Sequence, residues 1–145
     1  MNYDIAPSRE IEADIRLARY SMSPEGNPTN DEAMYNQAAY HAQQAIEKGL
    51  KFYLRDVYGE DEKDRKFRIH DIDTLCARLK DRYHHLVDEE IVARADEITD
   101  WEANSRYRHS LVSARADIET VLAAGERILA DIKRIEESQN AKGNG

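Results

Sequence analysis

Cysteine occurs once, at Cys76, so the chain can form no internal disulfide and no cysteine zinc cluster. Proline occurs three times, at Pro7, Pro24 and Pro28, which leaves everything after residue 30 free of the strongest helix breaker. Glycine is scarce, with 6 in 145 residues. No apolar run approaches the ~20 residues that cross a bilayer. The opening MNYDIAPSRE has neither a basic start nor an apolar stretch, and does not read as a signal peptide. A cytoplasmic protein is the expectation. Basic charge is also in deficit: 21 Lys and Arg face 29 Asp and Glu, a net charge of −8. That balance argues against broad coating of nucleic acid, because phosphate binding rests on clustered cations. It leaves room for two local basic stretches, KDRKFRIH (Lys63 to His70) and RYRH (Arg106 to His109), each of which also reads as a solvated loop.

What is present is charge, 34% of residues, and helical periodicity. At this length the chain should be one domain with a real core, over residues 1–137. The final SQNAKGNG (138–145) has nothing to bury and is expected to be a disordered tail. The first helix should begin after Pro7 with Ser8 as N-cap, and carry Ile11, Ile15, Ala18 and Met22 on one face. SPEGNPTN ends it. The second should start at Asn30 or Asp31, where Thr29 and Glu32 also have capping-box spacing, and run to about Tyr58 with Gly59 just past its end. After a charged loop, the third enters at IHDIDTL and buries Ile72, Leu75, Cys76, Leu79 and Tyr83. A shorter stripe of Ile91, Ala95, Ile98 and Trp101 marks the fourth, and Leu111 to Ile135 hold the pattern of the fifth for about seven turns. No period-two strand pattern or internal repeat stands out, so the expected fold is all-α, an up-and-down bundle of about five helices.

The most helical segment, AAYHAQQAIEKGLKFYL (38–54), is built of small residues. At ~100° per residue, Ala38, Ala42, Ala45, Ile46, Gly49, Phe52, Tyr53 and Val57 cover one wide face. Gln37, His41, Gln44, Lys48, Lys51 and Arg55 fall opposite, on what should be the solvated side. Small side chains let two helix axes approach closely. The seam should face the last helix, whose Ala114 and Gly125 are also small, or a second copy of the chain.

The same segment resembles the signature helix of HEPN domains, the higher eukaryotes and prokaryotes nucleotide-binding family, whose pattern A-x-Q-A-x-E-K-x-L-K is matched by Ala42, Gln44, Ala45, Glu47, Lys48, Leu50 and Lys51. IHDIDTL is similar to the family's H-D-L-x-x-L entry to the third helix, through His70, Asp71, Ile72 and Leu75. ANSRYR resembles its A-R-Y-P turn before the last helix, through Arg106 and Tyr107, with Ser105 and Arg108 departing from the pattern. The three landmarks stand in the family's order. The resemblance implies a helical bundle, often a homodimer, from prokaryotic defence or toxin–antitoxin-type systems. Some members are metal-independent ribonucleases using Arg-x(4–6)-His; others accompany a nucleotidyltransferase partner, or bind nucleotides or RNA without cutting.

In the ribonucleases the histidine moves protons and the arginine holds the phosphate as charge builds. Counted from Arg106, the histidine should stand at 111 to 113, but Leu111, Val112 and Ser113 are there, and His109 is too close. The spacing recurs formally in Arg65 with His70, and in Arg78 with His84 or His85, pairs that also arise by chance in an arginine-rich chain. No Gly-rich phosphate loop, H-E-x-x-H or Cys/His metal spacing occurs, and no cofactor or metal is expected. The reading is a noncatalytic HEPN-like domain that binds a nucleotide, RNA or a partner protein. Arg106, Tyr107, His109 and Lys48 are its candidate ligand contacts, since arginine grips phosphate and tyrosine stacks on bases. A displaced-motif ribonuclease using Arg78 with His85, or Arg65 with His70, is the catalytic alternative, and a purely structural or protein-interaction module is the third.

Overall fold

Pro7 opens the first helix, where a missing N–H leaves nothing unsatisfied and φ is already helical. A computed structural model describes residues 5–61, 63, 71–104 and 111–143. In it α1 runs over Pro7–Met22 with Ala6, not Ser8, at the N-cap. Ser8 lies inside the first turn and is buried. Its backbone N–H donates to Glu136 Oε2 at 3.1 Å and its hydroxyl to Glu136 Oε1. The cap expected from Ser8 is thus supplied by a carboxylate 128 residues away, which also suits the positive end of the helix dipole. Ile11, Ile15, Ala18 and Met22 are all buried, as the periodicity requires.

The turn after α1 is fixed by Asn27, whose carboxamide accepts from Asp31 N–H at 2.6 Å and donates to Asp31 C=O at 3.2 Å. Gly26 is required there: a Cβ would stand 1.9 Å from the Tyr20 carbonyl oxygen. Asp31 then caps α2 (Glu32–Phe52), accepting from Ala33 N–H at 2.9 Å. The chain continues as a π-helical turn, Tyr53–Val57, closed by Tyr58 N–H donating five residues back to Tyr53 C=O at 3.0 Å. Gly59, at φ +73, ends it in the left-handed region that glycine occupies without strain. The helical turn therefore does reach the expected end, but not in α register. The extra residue per turn rotates Val57 off the buried face, and it is 42% exposed.

Asp71 caps α3 (Ile72–Tyr83) through Asp73 N–H, and Thr99 Oγ1 accepts from Ile72 N–H at 2.9 Å. The expected fourth helix is two: α4 (Glu89–Ala93), capped by Asp88, and α5 (Ala95–Asn104). They break at Arg94, whose guanidinium reaches Asp117 at 2.9 Å on the last helix. The stripe Ile91, Ala95, Ile98 and Trp101 is buried nonetheless. α6 spans Leu111–Gly143 and so continues through residues 138–143, where a disordered tail is expected.

α2 is the central element. It packs against α1, α3, α5 and α6; α1 also meets α6, α3 meets α5, and α4 meets α6. Ala38, Ala42, Ala45 and Gly49 are buried, and a Cβ on Gly49 would lie 2.8 Å from Ile128 Cγ2. At Gly49 the close seam is therefore between α2 and α6 of one chain. Ala114 falls among side chains that are not described. The observed fold is an all-α bundle of six helices among the described residues.

Candidate functional site

Two polar clusters carry the residues singled out from the sequence. The first lies between α1 and α2. Asp14 is nearly buried, and its carboxylate accepts from Lys48 Nζ at 2.7 Å and lies 2.9 Å from His41 Nδ1. Lys48 keeps 39% of its side chain exposed. The stripe expected to face solvent is mostly half-buried, with Gln43 and Glu47 buried outright beside it. Its charges are matched: Lys51 pairs with Glu47 at 3.4 Å and Arg55 with Asp56 at 2.9 Å. The acids come from α1 and from positions beside the stripe.

The second cluster gathers around the π turn. Tyr53 and Tyr58, five residues apart, would point about 140° apart on an α-helix; in π register both reach His85. The Tyr53 and His85 rings lie 4.3 Å apart, and Tyr58 Oη sits 2.8 Å from His85 Nδ1. Tyr53 O–H also donates to Asp131 Oδ2 of α6 at 2.6 Å. Burial first, and then the Asp131 carboxylate, push the Tyr53 hydroxyl far above its ordinary range. Tyr58 stacks on Tyr83 at 4.2 Å, and Tyr83 O–H donates to Glu60. Glu60 accepts from Arg78 Nε at 2.8 and 2.9 Å, and the buried Arg78 Nη2 has no hydrogen-bond partner among the described residues. Burial lowers the His85 pKa below its ordinary value, with Asp131 opposing, so the imidazole is neutral at pH 7.

Arg78 and His85 therefore belong to one cluster, joined through Glu60, Tyr83 and Tyr58. Both are tied inward: the Arg78 charge is matched by a carboxylate, and His85 Nδ1 is taken by a phenol. His84 lies apart, exposed and in the left-handed conformation. The sequence reading missed Tyr53, Tyr58, Glu60, Tyr83 and Asp131 as partners, because 3.6-residue periodicity sends Tyr58 away from Tyr53. Arg65, His70, Arg106, Tyr107 and His109 lie outside the described residues.

Among the described residues no three His, Cys, Asp or Glu side chains converge to hold a metal ion. None of the described helices is long and apolar enough to cross a membrane. No curated protein and no solved structure matches the chain. The HEPN domain model matches residues 12–135, most of the chain and the whole span of the three landmarks, and the chain belongs to the HEPN family.

Proposed function

We propose that this HEPN domain is a noncatalytic binding module for a nucleotide or RNA, working as a homodimer in a prokaryotic defence or toxin–antitoxin-type system. The observation that carries the reading is the missing histidine: Leu111, Val112 and Ser113 occupy the places where Arg106 would find its proton-transfer partner. The formal replacement supports it further. Arg78 is neutralised by Glu60, and a carboxylate beside an arginine repels the phosphate that a nuclease arginine must hold.

In this reading Arg106 donates to phosphate oxygens and Tyr107 stacks on a base, with His109 as a further contact, while Lys48, already matched by Asp14, is not needed for it. The test is affinity for a labelled single-stranded RNA and for ATP, compared between the wild type and Arg106→Ala. A charge-assisted hydrogen bond contributes about 1.5–3 kcal/mol, so the variant should bind roughly 10- to 100-fold more weakly. Unchanged affinity in a folded variant rejects the site. If neither probe binds and a nucleotidyltransferase co-purifies with the protein, the domain is the protein-interaction member of a pair instead.

A further inference from the structure

α1 carries two apolar stripes, and the core uses one of them. Ile11, Ile15, Ala18 and Met22, spaced by four, three and four residues, are buried. Ala13, Leu17 and Tyr20 repeat the four-then-three spacing, offset by two residues. At ~100° per residue the second stripe stands roughly 160° round the helix from the first. It is left in solvent: Leu17 is 48% and Tyr20 57% exposed, with Ala13 exposed beside them. Asp14 reaches Lys48 of α2 on one flank of α1, and Arg19 reaches Glu126 of α6 on the other. Neither contact covers the outer stripe. Exposed apolar side chains standing singly are ordinary. Two on one helical face, at this spacing, form the ridge that a facing helix packs against. Among the described residues no other α-helix leaves two large apolar side chains exposed.

We infer that the outer stripe of α1 is the surface on which a second copy of the chain docks, the two α1 helices pairing antiparallel about Leu17. The assignment rests on the homodimer reading and adds the interface to it. Size and charge select this occupant. With Leu17 on a twofold axis, residues at like distances before and after it face one another. The small Ala13, four residues before Leu17, then receives the Tyr20 of the other copy, three residues after it. Arg9 stands eight residues before Leu17 and Glu25 eight after. Both are exposed, and neither side chain has an ion-pair partner among the described residues. Antiparallel pairing sets each Arg9 beside a Glu25 of the other copy, twice by symmetry. Parallel pairing would set like charges together at both ends. The one like pair that the antiparallel arrangement makes, Arg16 with Arg16, lies at the edge of the stripe, where salt screens it.

The test is sedimentation velocity of the full chain over a concentration series, with circular dichroism to show that each variant is folded. The wild type should follow a monomer–dimer equilibrium. Leu17→Glu sets two carboxylates on the axis at a position half exposed in the single chain, and should weaken the dimer at least about 100-fold. Leu86→Glu, at a site 94% exposed between α3 and α4, is the control and should leave the dimer unchanged. Arg9→Glu and Glu25→Arg should each weaken it about tenfold, and the two together should restore it. A wild type that stays monomeric at every concentration overturns the homodimer reading and the inference with it. A wild-type dimer that survives Leu17→Glu overturns the inference alone, since the copies then meet elsewhere. A double charge reversal no tighter than the single ones overturns the antiparallel pairing.

Discussion

The two buried glycines of the core give opposite predictions for one substitution. Glycine to alanine inside a helix normally stabilises by about 1 kcal/mol, through helix propensity and a less flexible unfolded chain. At Gly125 the new Cβ would meet Ile15 Cδ1 and Ile46 Cδ1 at 3.6 Å, ordinary van der Waals contact, so Gly125→Ala should show that gain. At Gly49 the Cβ would meet Ile128 Cγ2 at 2.8 Å. That methyl branches directly from Ile128 Cβ, so it moves only if the whole side chain or α6 moves. Overpacking of this kind costs about 1–3 kcal/mol, which cancels or exceeds the propensity gain. Gly49→Ala should therefore be neutral or destabilising by up to about 2 kcal/mol. At this size 1 kcal/mol corresponds to roughly 2–4 °C in Tm, so thermal and urea unfolding resolve the contrast. Ile128→Ala supplies the control: in that background Gly49→Ala should gain about 1 kcal/mol, because the obstructing methyl is gone. If Gly49→Ala stabilises the wild type as much as Gly125→Ala does, the α2–α6 seam is not tight and the account of the small-residue helix fails.

Asp14 and Lys48 are unequal partners, since the carboxylate is nearly buried and the ammonium is not. Lys48→Ala, which leaves the buried Asp14 carboxylate with His41 beside it, should lower stability by about 1–3 kcal/mol in chemical denaturation, and Asp14→Ala, which frees an exposed ammonium, by less. Equal losses would show that the two groups share one environment. Removing the Glu136 carboxylate should fray α1 and cost about 1–2 kcal/mol, with Glu136→Gln recovering part of it, because Ser8 depends on that carboxylate for both of its bonds. Burial pushes the Cys76 thiol up to about 12. The native protein should resist a thiol reagent at pH 7.5 and react fully once unfolded; rapid labelling of the native state would contradict its burial.

The elements that the sequence made legible are those whose apolar residues recur at fixed spacing. Ile11, Ile15, Ala18 and Met22 could be read from periodicity because each depends only on its neighbours in the same helix. The same is true of Ile91, Ala95, Ile98 and Trp101, which stayed on one buried side even though the helix divides at Arg94. Ser8 could not be read correctly, because its partner Glu136 comes from the other end of the chain. Lys48 was read as solvated for a similar reason: the acid that holds it, Asp14, sits on another helix. The π turn was illegible because every periodicity argument assumes one angle per residue, and Tyr58 violates it. Of the candidate site, neither the place of His85 beyond the end of α3 nor the Glu60 and Tyr58 that tie Arg78 and His85 inward could be read from spacing.

Arg106 carries the functional reading, and one measurement addresses it with the catalytic alternative at once. A labelled single-stranded RNA is incubated in EDTA with the wild type and with Arg106→Ala; bound fraction is read by anisotropy and chain length by denaturing gel. The account predicts that the wild type binds the RNA and leaves it intact, and that the variant binds roughly 10- to 100-fold more weakly. Cleavage by the wild type, or equal binding by a folded variant, would contradict it.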